Sequence, residues 1–121
     1  MDWTILIIIA TLVIVVFLLK RAGQIPAKVA LEHLKDGALV IDVRSPGEFS
    51  SGHLPNAVNI PLDEIGTTVP GRVKDKNQIL LLHCQSGVRS AMAVRKLKGM
   101  GYPNAFNLGS LARARTVAGS E

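Results

Sequence analysis

This chain holds one cysteine, one tryptophan, one tyrosine and three phenylalanines in 121 residues. A lone cysteine has no partner within the chain, and it suits a reducing compartment better than an oxidising one. Aromatic residues at 4% leave few platforms on which bases could stack, and no arginine-rich stripe alternates with them, so nucleic acid is excluded as a partner. Acidic residues are also scarce, nine against fourteen lysines and arginines, for a formal net charge of +5. The positive charge is scattered over the polar segments and attracts anions, either lipid headgroups or small oxyanions. Lys20, Arg21, Arg113 and Arg115 are placed to meet headgroups, and ordinary solvated charge accounts for them equally well.

The chain opens on a long apolar run. Between Trp3 and Leu19 there is no charge, and threonine is the only polar residue type. As a helix, residues 3–19 reach about 25 Å at 1.5 Å per residue. That is slightly short of a hydrocarbon core of about 30 Å, with Trp3 and Lys20 available to sit at the interfaces. The expectation is one transmembrane helix and its basic flank over residues 1–23. A cleaved secretory signal fits poorly, since the start is Met1-Asp2 and the far side carries Lys20-Arg21. Positive flanks tend to stay cytoplasmic, so a single-pass protein with residues 24–121 facing the cytoplasm is expected. Those roughly one hundred residues suffice for one core.

Within them, Pro26 followed by Val29, Ala30, Leu31 and Leu34 spaces apolar residues for a helix ending at Gly37. Ala38 to Ile41 reads as a strand buried on both faces. Ser45 to Phe49 turns into a short helix, and Gly52 to Ala57 is a loop by its glycine and proline. A short strand over Val58 to Ile60 and a brief helix over Leu62 to Ile65 precede a stretch from Val69 to Asn77 rich in proline, glycine and lysine. Ile79 to Leu82 is a strand, Ala91 to Lys98 a helix, and Ala105 to Leu108 a last strand. Strands alternating with helices imply a mostly parallel sheet covered on both faces, with ligands at the carboxyl ends of strands. Asp42 and Cys84 both fall at such ends.

The lone cysteine stands in the run His83-Cys84-Gln85-Ser86-Gly87-Val88-Arg89-Ser90, between an apolar strand and a helix that Ser90 is able to cap. Most lone cysteines are inert, buried hydrophobes. Here the Gln-Ser-Gly that follows makes a packed core position a poor fit, and backbone N–H groups of such a turn direct partial positive charge at its centre. With a neighbouring arginine, this setting lowers a thiol pKa from near ~8.5 to roughly 3.5–7.5. Arg89 is close enough in sequence to turn its guanidinium back onto the loop mouth. Asp42 is placed to accept a bidentate bond from Arg89 or Arg44, a scaffold role, since a carboxylate beside the thiolate would raise its pKa. His83 should point away from Cys84 by strand alternation, which favours a structural role.

Three separated stretches resemble one family: Val40-Ile41-Asp42-Val43-Arg44-Ser45-Pro46-Gly47-Glu48-Phe49, then Gly52-His53-Leu54-Pro55-Asn56-Ala57-Val58-Asn59-Ile60-Pro61, then Cys84 to Ser90. With Leu97 and Gly101-Tyr102 they are similar to the rhodanese, or thiosulfate sulfurtransferase, domain over nearly all of residues 24–108. The resemblance implies an α/β fold with a five-stranded parallel sheet and helices on both faces. It also implies a persulfide on Cys84, loaded by a small anionic sulfur donor such as thiosulfate and unloaded onto cyanide or a thiol, including a protein acceptor. In that scheme Cys84 and Arg89 are catalytic, while Gln85, Ser86, Gly87, Val88 and Ser90 bind substrate. Asp42, Arg44, Glu48 and His53 support the site, His53 together with Glu48. Two displacements at sulfur, each with a good leaving group, call for no cofactor or metal.

Two rivals share these residues. A cysteine phosphatase also cradles an anion between cysteine and arginine, but with five intervening residues where this chain has only Gln85, Ser86, Gly87 and Val88. A non-catalytic, membrane-tethered binding module is the other; inactive versions commonly lose the cysteine, which is kept here. At the C-terminus the family's glycine pair and aromatic are replaced by Gly109-Ser110-Leu111 and then Ala112-Arg113-Ala114-Arg115. That segment reads as a basic amphipathic turn or a frayed end.

Overall fold

The computed structural model describes residues 2–119, and their side chains except at residues 20–22. Four strands, β1 (Leu39–Asp42), β2 (Val58–Asn59), β3 (Leu80–Cys84) and β4 (Ala105–Ser110), form one parallel sheet in the order β2-β1-β3-β4. The interior strand β3 is buried at every position, as an unbroken aliphatic run requires. Its alternation sorts the core. Leu80, Leu82 and Cys84 join Ile41, Ile60 and Leu97 on one face, whereas Leu81 joins Ile25, Leu108 and Leu111 on the other.

Helices cover both faces, and the described residues hold six in chain order: α1 (Trp3–Ala22), α2 (Ala27–Lys35), α3 (Pro46–Ser50), α4 (Ile65–Arg72), α5 (Val88–Gly99) and α6 (Leu111–Ala118). Helices α4 and α5 bury Ile65, Val69, Ala93 and Leu97 in the first cluster; α2 and α6 bury Ala30, Ala114 and Val117 in the second. Tyr102, fully buried, donates its hydroxyl to the Val73 carbonyl at 2.8 Å and ties the segment after α5 to the end of α4.

Among the described residues the sheet has four strands where five were expected. The missing edge strand is reduced to a single parallel bridge between Gln24 and Asn107, with the Ile25 N–H donating to the Asn107 carbonyl at 2.9 Å. Pro26 follows at once, and having no N–H and a fixed φ it stops the pairing and opens α2. The expected membrane span over residues 3–19 is also corrected. Among the described residues no helix is long and apolar enough to cross a membrane. The described apolar stretch of α1 ends at Leu19, and its roughly 25 Å falls short of a bilayer core of about 30 Å. The single-pass placement and cytoplasmic orientation fall with it, and the Lys20 and Arg21 side chains on which the orientation rested lie outside the described residues.

Three local readings also shift. The brief helix at Leu62 becomes a 3₁₀ turn (Leu62–Glu64) running into α4, which continues through Pro70 because Ile65 and Val69, one turn apart, are both buried. Helix α5 begins at Val88 rather than Ala91, leaving Ser90 inside its first turn. The C-terminal segment is neither a basic turn nor frayed. Leu111, Ala114 and Val117 recur on one face and are buried, and the Ser110 hydroxyl accepts from the Arg113 N–H as an N-cap. Truncating Leu111 to alanine should therefore destabilise the fold by about 2–3 kcal/mol, read as a lower urea midpoint with an unchanged slope.

Candidate active site

The loop after β3 folds around a sulfur. Cys84 Sγ accepts the Gly87 N–H at 3.0 Å and the Ser90 N–H at 3.4 Å, and the Ser90 hydroxyl lies 3.5 Å away. The turn is tight because Gly87 takes φ +95°, and a Cβ there would stand 3.4 Å from the Gly109 backbone. Gly109, itself at φ +98°, would put a Cβ 2.9 Å from the Gln24 side chain. Two left-handed glycines therefore let the cysteine loop and the end of β4 lie against each other.

Burial pushes the Cys84 thiol pKa up, but the Ser90 hydroxyl and the amides of Ser90, Gly87 and Ser86 pull it down further, leaving it below its ordinary value. Cys84 itself is fully buried and belongs to the core cluster, contrary to the expectation that a packed position was a poor fit. The rim above it is open: Gln85, Ser86 and Val88 are exposed and Arg89 is half-buried. Clefts of about 540 and 410 Å³ open beside the loop, the first past Ser86, Gly87 and Met92, the second past Ser45, Asp63, Glu64 and Arg89.

The two arginines are held by different carboxylates. Arg89 is gripped by Glu48, Nη1 to Oε1 at 2.7 Å and Nη2 to Oε2 at 2.9 Å. Glu48 also accepts from the Ser45 N–H and closes a capping box at the start of α3. The Arg89 bond, with that from Ser45, lowers the Glu48 carboxyl pKa to about 2. Asp42 pairs with Arg44 and not with Arg89: Arg44 Nε reaches both carboxylate oxygens at 3.0 Å and Nη2 reaches Oδ2 at 2.8 Å. Arg44 goes on to the Gly52 carbonyl at 2.7 Å and the Gln85 side chain at 3.4 Å, so one buried ion pair steadies both the Gly52 turn and the cysteine loop.

The histidines stand apart from this chemistry. His53 stacks on Phe49 at 3.7 Å between ring centroids and bonds the Phe49 carbonyl through Nδ1, so it fastens the end of α3, the helix that Glu48 caps. His83 is fully buried with neither ring nitrogen hydrogen-bonded, and its Nε2 is 3.8 Å from Asp42 Oδ2. Burial, the largest influence, depresses its pKa, against the opposing pull of Asp42. Among the described residues, no three His, Cys, Asp or Glu side chains gather as a metal site.

Asn107 escaped the sequence reading. It is 5% exposed in β4, accepts from the Ser90 hydroxyl at 2.7 Å, and donates to the Gly87 carbonyl at 3.2 Å. The signal available was a lone amide inside the apolar run Ala105 to Leu108, because a buried polar side chain must find partners.

With this geometry in view, the comparisons with known proteins are specific. Residues 26–112 match the rhodanese-like domain. The chain belongs to the rhodanese-like family. Thiosulfate sulfurtransferase PspE of Escherichia coli K12 is 38% identical over 71 residues, covering 59% of this chain and 68% of that protein. A sulfurtransferase of Allochromatium vinosum is 33% identical over 82 residues, covering 66% of this chain and 75% of its own length. Among solved structures, a rhodanese with anions from E. coli superposes with a TM-score of 0.61 at 35% identity, over 64% of this chain and 91% of that one. The human single-domain sulfurtransferase TSTD1 gives 0.64 at 25%, over 82% and 97%. The rhodanese-like chain is accordingly a sulfurtransferase.

The Arg89–Glu48 pair carries a pH signature. Its side chains are 37% and 35% exposed, so solvent screening keeps its worth below about 1 kcal/mol. Because the folded carboxyl pKa lies below its ordinary 4.5, the contribution is present above pH 4.5 and fades as pH falls toward 2. Glu48→Gln should lower the urea midpoint modestly at neutral pH, with the difference from the native chain closing over that acid window.

Proposed function

We propose that this sulfurtransferase carries sulfane sulfur on Cys84 as a persulfide, taking it from a small anionic donor such as thiosulfate and passing it to a thiol, including a protein thiol, or to cyanide. In the first step the Cys84 thiolate attacks the outer sulfur of thiosulfate. A new S–S bond forms, the old one breaks, and its electron pair leaves with sulfite. In the second step the acceptor's thiolate or cyanide attacks the terminal sulfur, and the electron pair of the Cys84 S–S bond returns to Cys84. Charge balances in each displacement, and the attacking and leaving groups supply every electron.

The observation that carries this reading is the set of donors converging on Sγ: the Gly87 N–H at 3.0 Å, the Ser90 N–H at 3.4 Å and the Ser90 hydroxyl at 3.5 Å. The two amide donors, fixed in advance, stabilise sulfur wherever it is anionic, as thiolate before attack and as leaving thiolate after release, and the Ser90 hydroxyl is within reach to join them. The terminal sulfur of the persulfide is also an anion, and in this scheme it occupies the space ringed by Gln85, Ser86, Gly87 and Val88. Arg89 orients an anionic donor at the rim, with its charge shared by Glu48. Asp42, Arg44 and His53 keep the neighbouring turns in register. We assign this chemistry to residues 24–121 as one catalytic domain.

The phosphatase alternative is disfavoured by the four-residue spacing between Cys84 and Arg89, which draws the loop tight around a sulfur and leaves little room for a tetrahedral phosphate. Incubating the full chain with thiosulfate should add one sulfur to the intact mass, lost again on adding cyanide and never gained by Cys84→Ser. Absence of the adduct in the native chain would favour a binding module, and turnover of an aryl phosphate without thiosulfate turnover would favour the phosphatase.

A further inference from the structure

The Ser90 hydroxyl has one proton and three acceptors in reach: Asn107 Oδ1 at 2.7 Å, the Gly87 carbonyl at 3.1 Å and Cys84 Sγ at 3.5 Å. It can serve one at a time. The orientation of the Asn107 amide is fixed, because its Oδ1 also accepts the Gly109 N–H at 2.9 Å while its Nδ2 donates to the Gly87 carbonyl at 3.2 Å. Flipping it would set the NH₂ against the Gly109 N–H and the amide oxygen against the Gly87 carbonyl.

We propose that Asn107 is a positioning residue that holds the Ser90 proton away from Cys84 while the sulfur is neutral, so that the hydroxyl turns to the sulfur only when the sulfur carries charge. With the hydroxyl directed at Asn107, Ser90 Oγ offers a lone pair to the thiol S–H. When the thiol ionises, a charge-assisted bond to sulfur outcompetes the neutral bond to the amide. Asn107 thus stabilises the neutral thiol relative to the anion and sets a limit on how far the loop lowers the thiol pKa. That limit matters for sulfur transfer because thiolate nucleophilicity falls as the pKa falls. This consequence rests on Cys84 being the sulfur carrier, whereas the placement of the proton does not.

The charged and titratable groups around Cys84 come from several elements: Arg89 on α5, Glu48 on α3, Asp42 at the end of β1 with Arg44 just beyond, His83 beside it on β3, and Arg115 on α6 behind His83. All are common to the variants below, so their effects cancel in the comparison.

The test is the pH dependence of Cys84 alkylation by iodoacetamide in the full chain, followed by intact mass, which reads ionisation whether or not sulfur is transferred. Asn107→Ala should lower the midpoint by up to about one pH unit, the size of one neutral hydrogen bond less what the Gly87 carbonyl at 3.1 Å recovers. The fall should vanish when Ser90→Ala is also present. No fall, a rise, or the same fall without the Ser90 hydroxyl would overturn the proposal. Should Asn107→Ala not fold, Asn107→Asp retains and strengthens the acceptor. Removing the Ser90 hydroxyl from that chain should raise the midpoint less than removing it from the native chain, and an equal or larger rise would overturn the proposal.

Discussion

The site depends on the capture of one buried sulfur by the first turn of a helix. Cys84 closes β3 and Ser90 lies in the first turn of α5, and the Gly87 N–H at 3.0 Å fastens the loop between them to the sulfur. An interior strand buried at all five positions fixes where the sulfur stands, and a helix N-terminus with unpaired amides fixes what it meets. Neither suffices alone. The left-handed Gly87 brings them within bonding distance, at a φ of +95° that residues with a side chain rarely adopt.

Both arginines near the loop have their charge largely answered, Arg44 by Asp42 in a buried pair and Arg89 by Glu48 in a half-exposed one. The anionic sulfur is therefore stabilised chiefly by short-range dipoles, the amides and the Ser90 hydroxyl, with Arg89 contributing from the rim. The amides are held by the backbone and stay in place when charge develops on the sulfur, while the Ser90 hydroxyl can turn toward it. The carboxylates serve geometry: Glu48 joins α3 to α5, and Asp42 joins β1 through Arg44 to the Gly52 turn and Gln85.

Much of this was legible in the sequence because it is local. The four short segments that became strands, two of them unbroken aliphatic runs, the glycine-containing turn after Cys84 and the proline that opens α2 all act within a few residues of themselves. The pairing of Asp42 was open between two arginines, since sequence spacing does not say that Arg89 reaches across to Glu48. Asn107 was missed for the same reason: its partners Gly87 and Ser90 lie 20 and 17 positions away. The fifth strand and the membrane span were inferred from likeness and apolar length. Pro26 cuts the strand to one bridge, and the described apolar stretch of α1 is too short for the span. Helix α6 was misread because the arginines in its sequence hide the apolar face of Leu111, Ala114 and Val117.

The central claim is that the donors of the loop outweigh burial and lower the Cys84 thiol pKa below its ordinary value. Titrating the ultraviolet thiolate absorbance of the native chain, with Cys84→Ser as the blank, measures this directly. A single transition centred clearly below the ~8.5 of an unperturbed thiol is the predicted result. A transition at or above that value would mean that burial outweighs the converging donors, and the account would be wrong.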